Sequence, residues 1–307
     1  MITSIFSKSK PINFLVVLAL VLITFCVAHL KFSPESLDFT LILKKLAAFA
    51  ICYVSLLLLN FIVGKNSLTK KNNYEILFFS LFLLMIPQSV LSWKIIVSNF
   101  FILLALRRII SLRTQKSIKK KLFDAAFWIA VASLFYFWAI LFFVVIFAAL
   151  IFYTDSDLKN WIIPVIGAIS VYILATTYTL LVFNDYNLLN YLNYQISFDF
   201  DQFNSLPFII AITVLISFGI WASFFYLQSL KMKMKTLKPG FKVVITTLLV
   251  AFAIIVVAPN KQGSEFLFWF APLSVVLTNY LETIKEKWFK ELFLATFLLL
   301  PVVLLLL

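Results

Sequence analysis

The sequence predicts an all-α polytopic membrane protein, a bundle of about eleven transmembrane helices with a cytoplasmic N-terminus. Three observations carry that prediction. The chain is 63% hydrophobic and only 13% charged, whereas soluble domains hold roughly 25% charged residues. Apolar runs recur from end to end at about the 20-residue length that a helix rising 1.5 Å per residue needs to cross bilayer hydrocarbon. Clusters of Lys and Arg separate these runs at every second connection.

The first run, Ile12–Leu30, follows Lys8 and Lys10 and is long enough to span. It lacks a small-residue cleavage site, and bulky Phe25 precedes Cys26 where a lipoprotein signal would place a small residue. It is therefore expected as an uncleaved first span. The next runs are Phe39–Val63, Tyr74–Leu91 and Ile95–Ile110. The stretch Phe123–Tyr153 is 31 residues long, about 46 Å as one helix. Two short helices, Phe123–Phe137 and Trp138–Tyr153, meeting near Ser133–Trp138 as a hairpin, keep later loops on their proper sides. One steeply tilted helix is the alternative and would invert them. Trp161–Phe183, Leu206–Leu230, Val243–Ala258, Phe266–Leu281 and Phe289–Leu307 complete the set.

Charge fixes the orientation, because loops rich in Lys and Arg stay on the cytoplasmic side. With the N-terminus inside, the inner segments hold Lys8, Lys10, Lys65, Lys70, Lys71, the cations of Arg107–Lys121, Lys159, the Lys231–Lys242 cluster, Lys285, Lys287 and Lys290. Of the 26 basic residues, Lys31, Lys44, Lys45, Lys94 and Lys261 fall elsewhere. The net charge of +13 thus sets topology and meets anionic lipid headgroups. It belongs to no recognisable nucleic-acid-binding fold, and no nucleic-acid partner is expected. Residues 1–307 read as a single transmembrane domain of the cell inner membrane, with a basic cytoplasmic loop at 107–122 and a polar outer loop at 184–205. That outer loop carries Asp185, Asp199 and Asp201. Its Leu188, Leu189 and Leu192 recur at helical spacing, which suits a short interfacial helix or a lid over a cavity, with a plain ordered surface loop as the favoured alternative.

Few residues invite chemistry. The two cysteines, Cys26 and Cys52, lie in apolar runs, and His29 is the one histidine. No metal site and no cofactor are expected. No carboxylate falls at the middle of a span, and Glu75, Asp124, Glu265 and Glu291 lie at span ends, where burial costs little. The best candidates for general-base work are Glu35 and Asp38 in the first outer loop, with capping of the second span as the competing role for Asp38. Lys44 and Lys45, with Lys94, are candidates for holding a lipid phosphate at the outer boundary. Lys31 and Lys261 could add to that charge. Snorkelling to the headgroups is the competing role for Lys44 and Lys45.

The order of Leu103-Leu-Ala-Leu-Arg-Arg108, the basic loop, Leu122-Phe-Asp-Ala-Ala-Phe-Trp-Ile-Ala-Val-Ala-Ser-Leu-Phe-Tyr136 and Trp161-Ile-Ile-Pro-Val-Ile-Gly167 resembles an uncharacterised family of polytopic inner-membrane proteins of Bacteroidota. Some members carry the label carotene monooxygenase, but such iron enzymes need several histidines. The architecture is also similar to GT-C membrane glycosyltransferases. Glu35 or Asp38 would match their acid in the first outer loop, Phe123–Tyr153 their paired short helices, and Phe266-Leu-Phe-Trp-Phe-Ala-Pro272 their late span. A paired-acid motif and a sizeable outer soluble domain are missing.

The GT-C resemblance implies transfer of a sugar from a polyprenyl-phosphate-linked donor on the outer face. A second reading makes the chain a non-catalytic subunit or scaffold that docks other inner-membrane proteins through Arg107–Lys121. A third, a lipid or small-molecule transporter, is weakened by the lack of repeats and of mid-span carboxylates.

Overall fold

The computed structural model describes residues 2–32, 39–153, 158–187, 192–259 and 261–307. Within them the chain is all-helical, with twelve α-helices. These are α1 (Ile2–Phe6), α2 (Pro11–Val27), α3 (Phe39–Asn66), α4 (Tyr74–Met85), α5 (Trp93–Ile110), α6 (Ile118–Phe135), α7 (Phe143–Tyr153), α8 (Leu158–Phe183), α9 (Leu206–Ser229), α10 (Lys238–Val257), α11 (Leu267–Thr283) and α12 (Lys287–Leu306). Among the described residues, seven helical segments are long and apolar enough to cross a membrane: Pro11–Phe32, Phe39–Asn66, Trp93–Thr114, Lys159–Phe183, Leu206–Met232, Lys238–Val257 and Lys287–Leu306. That composition marks a membrane protein. Tyr74–Met85 and Phe137–Tyr153 are apolar but shorter.

Two of the shorter helices form the centre. Every residue of α4 is buried, as is every residue of α11 from Leu267 to Leu281. A helix that is apolar all round has no face to offer water and belongs in a core or a bilayer. Here α4 and α11 pack on each other. α2, α3 and α12 contact α4, while α9 and α10 contact α11. Aromatic rings knit this centre, with Phe78 edge-on to Phe297 at 5.4 Å and Phe82 tilted against Phe270 at 5.7 Å.

Hydrogen bonds between elements hold each end of the bundle. At the end rich in cations, Tyr74 Oη donates to Thr3 O (2.7 Å), Asn279 Nδ2 to Leu68 O (2.9 Å), Asn72 Nδ2 to Glu282 Oε1 (2.5 Å) and Arg113 Nη1 to Asn66 O (3.0 Å). At the opposite end, Ser264 Oγ donates to Gln88 O (3.1 Å), Lys31 Nζ to Leu305 O (3.4 Å) and Ser197 N to Val257 O (3.3 Å).

Three local outcomes differ from the expected boundaries. The run Tyr74–Leu91 is helical only to Met85, because Pro87 lacks an N–H and forces its predecessor out of the α region. Ile86 is accordingly at φ −126°, ψ 78°, and a 3₁₀ turn, Pro87–Val90, follows. The stretch Phe123–Tyr153 is two helices. Tyr136 is extended at φ −147°, ψ 105°, a 3₁₀ turn covers Phe137–Phe142, and α7 returns so that Tyr153 Oη donates to Ile110 O at 3.1 Å. The basic connection is shorter than 107–122, since α5 runs to Ile110 and α6 begins at Ile118. Gln115 and Ser117, both at φ 52°, make the turn.

Candidate functional site

The site grows from the head of α11. Gly263 sits at φ +94°, and a Cβ there would lie 2.7 Å from Phe208 Cζ, so only glycine fits both the backbone and the space. Its turn carries Ser264 and Glu265 inward, leaving them 1% and 2% exposed. The Gly263 N–H donates to Glu265 Oε2 at 3.0 Å. Burial pushes the Glu265 carboxyl up to about 7, against the opposing pull of nearby backbone N–H groups and of Lys261. A carboxyl held near neutrality can take or give a proton under physiological conditions.

Glu265 opens on a cavity of about 300 Å³ between the heads of α5 and α11, the α6–α7 turn and the long loop before α9. That volume is at the lower end of the range for small-molecule sites. Its polar lining comprises Ser92, Lys94, Tyr136, Asn193, Gln262, Ser264 and Glu265. Ser92 caps α5 by accepting from Ile95 N at 3.5 Å, which places Lys94 in the first turn, exposed at the rim. Tyr136 stacks on Phe268 with ring centroids 5.7 Å apart. Its hydroxyl is buried without a hydrogen-bond partner among the described residues. The described part of the long loop is pinned over this end, as Phe203 stacks on Phe208 at 4.9 Å and meets Phe266 edge-on at 5.6 Å.

Of the residues expected from sequence, Lys94 lines this cavity. Glu35 and Asp38, the expected bases, lie outside the described residues, as do Leu188 and Leu189 of the expected interfacial helix. Leu192 and Asn193 of that loop form part of the cavity wall. Lys45 lines a separate apolar groove between α2 and α3 together with His29 and Phe49, and Lys44 is exposed on α3. Lys31 reaches the end of α12. Lys261 is buried, donating to Ser197 O and to Ala258 O, with its Nζ 4.5 Å from the Phe200 ring centre. The lysines are therefore dispersed.

Sequence reasoning passed over Glu265, Tyr136, Gln262 and Ser264. Its position at a span end implies a small cost for Glu265, yet it is as buried as the core, as is Glu75 at 1% exposure. The available signal was Gly263-Ser264-Glu265, a turn residue placing an acid at the mouth of an unbroken apolar run.

A family profile matches residues 1–306 from one end of this architecture to the other. The chain belongs to DUF6427, a family of unknown function. No curated protein and no solved structure matches it. Membership in DUF6427 thus groups the chain with relatives without assigning an activity.

Proposed function

We propose that this DUF6427 protein is an inner-membrane protein of about eleven spans, in which α4 with the turn Pro87–Val90 and α7 with the turn Phe137–Phe142 each make up one short span, and that its N-terminus and basic end lie in the cytoplasm. We further propose that the cavity at the outer end transfers a sugar from a lipid-linked phosphate donor, in the manner of GT-C enzymes. The observation that carries this reading is the pairing, in one cavity at the end poor in cations, of Lys94 with a carboxyl poised near neutrality. When Glu265 is protonated the cavity's net charge is positive, which favours an anionic headgroup.

In this mechanism an acceptor hydroxyl gives its proton to the Glu265 carboxylate as its oxygen bonds the anomeric carbon of the sugar. The carbon–oxygen bond to phosphate breaks, and the phosphate leaves with the bonding pair while Lys94 holds its charge. Gln262, exposed on the cavity wall, is placed to orient the acceptor. The test is the glycolipid profile of cells carrying Glu265→Gln or Lys94→Ala in place of the native chain. Loss of one glycolipid, with its unglycosylated acceptor accumulating, is expected. A profile identical to the parent's would overturn the reading.

One observation favours the scaffold reading. Arg108 pairs with Asp124 at 3.1 Å and Lys121 Nζ donates to Ser111 O at 2.6 Å, but Lys116, Lys119 and Lys120 stay exposed on the basic turn, open to an acidic partner.

A further inference from the structure

A second cavity adjoins the first. It is a groove of about 430 Å³ between α6 and α8, and Leu134, Phe135 and Leu192 serve as walls of both spaces. The two linings differ in kind. The cavity at Glu265 is mostly polar, whereas the groove is faced by Phe127, Val131, Leu174, Ala175 and Tyr178. Leu174 and Tyr178 are 62% and 61% exposed, so the groove lies open along the outward flank of α8.

The groove has a sequence-encoded cause. At Gly167 the helices touch: a Cβ there would stand 2.8 Å from Ala126 Cβ and 3.1 Å from Phe123 O. Glycine thus lets the two backbones close at one point, as small residues do between membrane helices. Beyond that point, toward the Glu265 end, residues of α6 and α8 line the groove between them. It runs from Val171 to Phe183 on α8, about 18 Å at 1.5 Å per residue, close to one leaflet of a hydrocarbon core roughly 30 Å thick.

We infer that this groove holds the hydrocarbon tail of a lipid from the outer leaflet, whose anionic headgroup occupies the Lys94–Glu265 cavity. The inference rests on the function proposed above and names the physical form of its substrate, a phosphate-bearing lipid that enters sideways between α6 and α8. Shared walls join an apolar channel one leaflet deep to a polar chamber with a cation at its rim. A free sugar phosphate would use the chamber and leave the groove without a role.

The full-length protein in neutral lipid nanodiscs, treated with hexadecyl phosphate bearing a photoactivatable diazirine at its tail end, tests this. Peptide mass spectrometry then locates the adducts. Adducts are expected on α6 and α8 within residues 127–135 and 171–183, and excess unlabelled hexadecyl phosphate should suppress them. Excess inorganic phosphate should suppress them only weakly.

Ala175→Trp, which fills the groove, should lower labelling by about tenfold, the equivalent of losing roughly two buried methylenes. Leu174→Trp is a second filling variant for use if the first folds poorly. Leu181→Trp, at a position 77% exposed and outside the groove lining, should leave labelling unchanged. Adducts spread evenly over the lipid-facing helices, or unaffected by both filling variants, would overturn the inference. The two proposals separate cleanly. Lys94→Ala should weaken labelling without moving it. Glu265→Gln, which fixes the uncharged form, should keep or strengthen labelling. If Lys94→Ala leaves labelling untouched, the headgroup assignment fails. If Ala175→Trp spares labelling while Lys94→Ala weakens it, the tail path fails and the chamber stands.

Discussion

Glu75 and Glu265 head the two central helices, which run antiparallel, and both are buried to about the same degree. Their settings diverge. Glu75 sits among the packed ties of the basic end, and its Oε2 has no hydrogen-bond partner among the described residues. It lines none of the cavities described above. Glu265 has the Gly263 N–H on one oxygen and a 300 Å³ space before it. Burial makes a carboxyl unusual, but only burial beside accessible room lets a substrate meet it.

That comparison breaks most directly through activity. Glu265→Gln should lower the transfer rate in isolated membranes by about 10²–10⁴-fold, the ordinary worth of a general base, while Glu75→Gln stays within a few-fold of the parent. Equal losses would mean that the two acids share a structural role. Backbone geometry sharpens the contrast next. Gly263→Ala, strained by its positive φ and blocked by Phe208, should cost about 1–3 kcal/mol in thermal unfolding. Gly64→Ala in α3, where a Cβ would meet nothing within 4 Å, should be neutral or stabilising by up to about 1 kcal/mol.

The pH dependence follows from the raised Glu265 carboxyl, which rests at about 7 when folded against 4.5 ordinarily. Between those values the folded state keeps a proton that the unfolded chain has released, so stability falls as pH rises. The contribution is full below pH 4.5 and lost on passing through pH 7. Melting temperatures should decline across that window in the parent and decline less in Glu265→Gln. The smallest effect belongs to the basic end. Arg108 is 37% exposed in its pair with Asp124, so Arg108→Ala should cost under about 1 kcal/mol, less still in high salt.

Hydropathy made the helices legible because length and composition alone decide what can cross hydrocarbon. It also exposed the break inside Phe123–Tyr153, where one straight helix would be too long. Composition was silent on which helices stand at the centre. α8 and α11 are both strongly apolar runs, yet α8 lies at the periphery and exposes Ile162, Val165 and Ile166, whereas α11 is enclosed. Lipid and protein interior reward the same side chains, so periodicity carries little there. Lys94 was legible as a cation out of step with the positive-inside pattern. Glu265 was not, because its depth comes from a glycine turn seated under Phe208 and from no property of its own run.

The most direct test of an outward-facing site is the reactivity of Gln262→Cys, in a Cys26→Ser background, toward a membrane-impermeant maleimide. Gln262 is exposed and lines the cavity. Modification in intact cells, slowed by added hexadecyl phosphate, is the expected result. Modification only after the cells are broken open would place the cavity in the cytoplasm and contradict the account.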